Sequence, residues 1–236
     1  MTEKQRSNGQ VKSKQRVTDH GEVFTAQREV NAMLDLVKQE TERIDSRFLE
    51  PACGDGNFLA EILRRKLTVV KNRYRRSSLD YEKYAVVAAT SIYGVDILPD
   101  NVEDCRKRMF SIWDKEYTKV CKLDANDDCR EAIRFIFQRN ILCGDALSLT
   151  TAEGKPIIFS EWALVSGSLI KRRDFRLDVL MNENIDKNAY SVQMSLFADD
   201  ANGTGNWEVD PETKQPMPRP VNEYPLTDYR RLQQYE

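Results

Sequence analysis

The chain alternates short apolar runs with longer stretches in which apolar residues return every three to four positions, the pattern of strands separated by helices. Val30, Met33, Leu34, Val37 and Ile44 make the first helical stripe, with Thr25 placed as its N-cap. Phe48 and Leu49 form a short run that Glu50 and Pro51 end. Gly54 and Gly56 then frame a tight turn, and Phe58, Leu59, Ile62, Leu63, Leu67 and Val70 return at helical spacing behind it. Residues 79–90 predict another helix, followed by a strand over 91–96 that ends in Asp96. Asp100 is placed to cap a helix lined on one face by Val102, Cys105, Met109, Ile112, Trp113 and Val120. Residues 126–139 predict the next, with Cys129, Ala132, Ile133, Ile136 and Phe137 inward. Both stripes read as core. Residues 141–147 give a third strand and its tip, and the stretch from Pro156 to Val165 a possible fourth. This order of elements predicts an α/β fold built on a parallel sheet.

Composition changes the picture only at the margins. With 236 residues and 40% hydrophobic side chains, the chain suits one medium domain with tails. Residues 1–17 are polar and basic and are expected to be disordered, residues 18–180 carry the domain, and residues 181–236 read as a polar, proline-containing tail. One docking peptide is expected in that tail, near residues 224–232. No apolar run approaches the ~18 residues of a membrane span, and the N-terminus lacks the apolar centre of a signal peptide. The five cysteines are scattered without C-x-x-C pairs, which indicates neither a disulfide framework nor a metal site. A reduced, cytoplasmic protein with no membrane contact is expected. A net charge of -2 leaves any nucleic-acid contact to a local patch. The candidate for DNA is the basic run Arg64, Arg65, Lys66, Lys71, Arg73, Arg75 and Arg76, for which a solvated helix end is the commoner reading.

The chemistry gathers at the turn after Glu50. Glycines between a strand and a helix let backbone approach a ligand that a Cβ would push away, and the helix N-terminus adds unpaired N–H groups. A dinucleotide fingerprint needs a third glycine where Leu59 stands, which disfavours a nucleotide-dependent oxidoreductase. The run Glu50-Pro51-Ala52-Cys53-Gly54-Asp55-Gly56-Asn57-Phe58 instead resembles motif I of S-adenosylmethionine-dependent methyltransferases, especially the adenine-N6 DNA methylases. The Gly21-Glu22-Val23-Phe24-Thr25 start resembles their motif X, with Ala26 where family members usually carry proline. IYGVDILPD around Asp96 resembles motif II, and CGDAL around Asp145 resembles motif III. The resemblance spans residues 18–149 and implies a Rossmann-like class I methyltransferase fold that binds S-adenosylmethionine. It implies cofactor contacts from Phe24, Thr25, Glu50, Ala52, Cys53, Gly54, Gly56, Phe58, Asp96, Ile97, Asp145 and Ala146. Asp96 would take the ribose hydroxyls, Ile97 would wall the adenine ring, and Asp145 would accept its amine. His20, the only histidine, reads as a polar loop residue, because nothing completes a nucleophile–base pair beside it.

The family's next motif does not follow. An adenine-N6 methylase polarises the target amine with Asn/Asp/Ser-Pro-Pro-aromatic, and no two of the eight prolines here are adjacent. No catalytic residue is therefore assigned. Trp162 is available for stacking on a base, although a buried structural tryptophan is the commoner case. The expected fold is an incomplete doubly wound sheet whose exposed edge, near Pro156–Val165, recruits a protein partner or a second copy. Two functions fit: a component of an adenine-N6 DNA methyltransferase from a restriction–modification or phage-defence system, or a non-catalytic cofactor-binding regulatory or scaffold module.

Overall fold

A computed structural model describes residues 25–181, 207–209 and 216–235. Helix α1 (Gln27–Leu36) and the short α2 (Lys38–Thr41) precede β1 (Phe48–Glu50). Helices α3 (Asn57–Tyr74) and α4 (Ser78–Thr90) lead to β2 (Ile92–Asp96), and α5 (Pro99–Cys121) and α6 (Asp127–Asn140) lead to β3 (Ile141–Cys143). The three strands form a parallel sheet in the order β1-β2-β3, so the fold is α/β.

Strand periodicity sets what each face holds. All five residues of β2 are buried. Ile92 joins the main core with Trp113, Met109 and Cys105 of α5 and Ile133 and Ile136 of α6. Tyr93 and Val95 point into a second cluster with Ile157, Phe159 and Leu177. α4 buries Ala85, Ala88 and Ala89 beside Tyr81 and Val86, and the indole N–H of Trp113 donates to the Ala85 carbonyl at 3.0 Å.

Caps follow local chemistry with two departures from expectation. Ser77 and Asn126 cap α4 and α6 by accepting the N–H groups of Asp80 and Cys129. Ala26, not Thr25, is the N-cap residue of α1, and it offers no side-chain bond. Leu98, not Asp100, precedes α5, because Pro99 with its preset φ takes the first helical position and Asp100 falls in the first turn. Met33 and Val37 are exposed, so α1 buries only Val30 and Leu34.

The fourth strand is a correction. Ile158–Ser166 (β4) does not join the parallel sheet but pairs antiparallel with β5 (Leu169–Arg176). Only Gly167 (φ +58°) and Ser168 separate them, whereas a parallel crossover needs a dozen or more residues. After β5 come α7 (Leu177–Met181) and the pair β6 (Trp207–Val209) and β7 (Pro216–Pro218). Then β8 (Asn222–Glu223) and β9 (Thr227–Asp228) both add to β5, and a 3₁₀ segment follows (Tyr229–Gln234). The last part of the expected tail is thus built into the domain, and Tyr229 and Leu232 are core residues.

Buried polar groups lock these parts together. Asn140 donates to the carbonyls of Thr90 and Ile92 and accepts the indole N–H of Trp162. Arg172 and Asp174, two apart on one face of β5, form a buried ion pair closed by the Ser160 and Tyr224 hydroxyls. Glu82 of α4, 1% exposed, accepts from the Tyr117 hydroxyl, from the Tyr229 hydroxyl at 2.7 Å and from Arg230 at 2.5 Å. Among the described residues, no helix is long and apolar enough to cross a membrane.

Candidate functional site

Parallel register places the tips of all three strands on one edge, since Glu50 lies opposite Gly94 and Asp96 opposite Cys143. The turn after β1 crosses this edge with Gly54 at φ +52° and Gly56 at φ +87°, both in the region that favours glycine. A Cβ on Gly56 would lie 2.6 Å from the Cys105 sulfur, so the turn packs directly on α5. Gly94 serves the same closeness from β2, where a Cβ would meet Leu59 at 2.8 Å and the Cys53 sulfur at 3.0 Å.

Asp96 is the hub. Its carboxylate accepts the Gly54 N–H at 2.8 Å, the Leu98 N–H at 2.9 Å and the Asn101 amide at 3.2 Å. A carboxylate offers about four acceptor positions, so one remains for a ligand hydroxyl, fewer than the pair expected from the resemblance. The adjacent Ile97 is 59% exposed, an apolar side chain left in solvent beside a buried acid. The Asp96 carbonyl takes the Gly144 N–H at 3.0 Å, which sets Asp145 next to it. Asp145 accepts the Leu147 N–H at 2.8 Å, and with the Ser148 hydroxyl this holds its carboxyl below the usual range. Burial pushes the Glu50 carboxyl up, opposed by the Ala52 N–H.

The turn spends much of its backbone internally. Cys53 donates to the Val95 carbonyl, and its own carbonyl takes the Gly56 N–H. The Cys53 side chain faces inward, and the hydrogen bond with Cys105, then burial, raise its thiol far above the ordinary range. Cys53 therefore shapes the turn and is no nucleophile. Ala52 is exposed, while Phe58 and Ala146 are half-buried against the two cores. The first N–H groups of α3 have no intrahelical acceptor and point to the same edge.

Three residues outside the expected cofactor contacts, Asp55, Asn57 and Arg108, complete the site. Arg108 of α5 pairs with Asp55 at 3.2 Å and bonds Asn57 at 2.7 Å, bracing the turn from outside. The other Asp55 oxygen is buried without a hydrogen-bond partner among the described residues, an acceptor waiting for a donor. The Asn57 amide reaches the Thr25 carbonyl at 3.3 Å, bringing the start of α1 to the turn. Phe24 and His20 lie outside the described residues.

Of the residues considered for nucleic-acid contact, Lys66 is the one the structure corrects, while Trp162 is buried as the commoner reading has it. Lys66 is fully buried, with its ammonium on the carbonyls of Ile44 (3.1 Å) and Ser46 and the Ser91 hydroxyl (2.7 Å). Arg64 and Arg65 pair with Glu61, Arg65 also with Asp35, and Lys71 with Glu116. Arg64 stays exposed despite its pair with Glu61, as do Arg73, Arg75 and Arg76 towards the helix end. Trp162 is 7% exposed and bonded to Asn140, which removes it as a stacking surface.

Fold and edge together define an α/β domain with acids and a glycine turn at the carboxyl ends of a parallel sheet, where such sheets bind ligands. Comparison of the chain with protein-family models, with curated proteins and with solved structures finds no match.

Proposed function

We propose that the chain binds S-adenosylmethionine at this edge, as the cofactor-binding component of an adenine-N6 DNA methyltransferase with a Rossmann-like fold. The observation that carries the reading is the Asp96 carboxylate holding the Gly54 N–H, with Ile97 exposed beside it and Asp145 next in line. The residues fit the ligand. Asp96 keeps one acceptor for a ribose hydroxyl, Asp145 accepts an amine, and Ile97 offers an apolar wall for a purine. The unpartnered Asp55 oxygen suits the ammonium at the methionine end. Bound there, the cofactor supplies an electrophilic methyl group on a sulfonium.

Ile97→Ser gives the cleanest test, because Ile97 is 59% exposed and belongs to neither core cluster. Isothermal titration is expected to show binding of S-adenosylhomocysteine by the unaltered chain and about tenfold weaker binding by the variant, from roughly 1–1.5 kcal/mol of lost apolar burial. The melting temperature should not move. A folded wild-type chain giving no heat with either S-adenosyl ligand would overturn the reading.

A second reading, a non-catalytic module that regulates or scaffolds a partner, is favoured by one observation. The stretch after Asp145 that the family uses for catalysis is here an antiparallel hairpin with its tryptophan buried. The adenine amine is a poor nucleophile unless preorganised acceptors polarise it. The chain alone is therefore expected to transfer no labelled methyl group to DNA adenine, and robust incorporation would exclude this second reading.

A further inference from the structure

The parallel sheet ends on β1, whose far edge has no strand partner among the described residues. Phe48 donates its N–H to the Ser91 carbonyl on the β2 side. Alternation along a strand then turns the N–H and C=O of Leu49 the other way. Leu49 lines a groove of about 440 Å³ between β1 and the β4–β5 hairpin, together with Phe48, Tyr93, Phe159, Phe175 and Met181. The charges at its rim satisfy one another, since Glu161 takes Arg47 at 2.6 Å and Arg173 at 2.6 Å. Such a groove suits an uncharged extended segment that places alternate side chains on the apolar floor and its backbone against Leu49.

The chain itself carries one. Residues 182–206 begin directly after Met181, which lines the groove, and Trp207 pairs with Pro218, which lines it too. Within that stretch, residues 189–197 (AYSVQMSLF) hold no charged side chain, although 31% of the whole chain is charged. Tyr190, Val192, Met194 and Leu196 alternate there with Ser191, Gln193 and Ser195, the period of a strand with one apolar face. We propose that the groove beside β1 is the docking site of the chain's own residues 190–196, seated as an added strand against Leu49.

Hydrogen exchange at the Leu49 amide tests this in the full-length chain. Protection is expected in the wild type, with exchange at least about tenfold faster after Val192→Ser, Met194→Ser and Leu196→Ser together. Equal exchange at Leu49 in the two proteins would overturn the proposal. Protection that disappears on dilution, with a dimer in light scattering, would assign the groove to a second copy and overturn the in-chain seating. Leu49→Pro is a second variant, because proline is tolerated on a strand edge and removes only the outward donor. Chymotryptic cleavage at Tyr190 should be faster in Leu49→Pro than in the wild type. Equal cleavage rates would count against docking.

Discussion

A chain ending before residue 222 is expected to lose cooperative folding, not merely to expose a sheet edge. Residues 222–235 supply β8 and β9 to β5 and place Tyr229 and Leu232 in the main core. Without them Glu82 loses the Tyr229 hydroxyl and the Arg230 guanidinium and is left with the Tyr117 hydroxyl. Hydrogen bonds to a charged group are worth about 1.5–3 kcal/mol each, and two large apolar side chains forfeit about 1.5–3 kcal/mol each. That sum rivals the whole stability of an ordinary domain, about 5–15 kcal/mol. Near-ultraviolet circular dichroism should lose its fixed aromatic signal, and light scattering should show association. A truncated monomer with a sharp melting transition would refute the expectation. So would an unchanged melting temperature in Glu82→Ala.

Lys66 makes stability depend on pH in an unusual direction. Burial pulls its ammonium down to about 7, while the oxygens of Ile44, Ser46 and Ser91 accept its protons and pull the other way. In the unfolded chain the same lysine stays protonated to about 10.4. Between these values the unfolded state binds more protons, so stability rises with pH at about 1.4 kcal/mol per unit. The opposite trend begins near pH 8.5, where unfolded thiols ionise while buried Cys121 and Cys129, held up by desolvation, do not. Urea denaturation should therefore show wild-type stability climbing by about 1 kcal/mol or less from pH 7 to 8.5, the Lys66 gain of roughly 1.6 kcal/mol less what the thiols already take back, and then falling. Lys66→Met should lose the climb and keep the fall. A flat wild-type profile between pH 7 and 8.5 would show that the three oxygens fully offset burial.

The parallel sheet and its helices were legible because their signals are local and strong. The stripes behind Gly56 and after Pro99 emerge as α3 and α5, and the strand ending in Asp96 ends there. The turn was legible because its glycines are demanded by φ and by close approach to Cys105. What escaped depends on partners distant in sequence. LIKRRDFR does not read as a strand, since its buried face is an ion pair that becomes apolar in effect only when Arg172 meets Asp174. Lys66 looks like any member of a basic run, and its burial is decided by Ile44, Ser46 and Ser91, 20 to 25 residues away. The proline-spaced end resembles a loop because its order comes from β5, α4 and α6 rather than from its own periodicity. The local signal for the hairpin was the Ser166-Gly167 pair, a turn dipeptide at the close of an apolar run.

The contact between Glu82 and Tyr229 spans 147 residues of chain. Closing so long a loop is entropically slow and is rewarded only at the end. During synthesis, α4 therefore carries a Glu82 short of two of its three partners beside an open core until residue 230 has left the ribosome. At about 5–20 residues per second that interval lasts roughly 7 to 30 seconds. For that time the nascent chain presents the apolar side of α6 that the 3₁₀ segment later covers, with the Glu82 charge beside it, the kind of surface that chaperones hold and aggregation exploits.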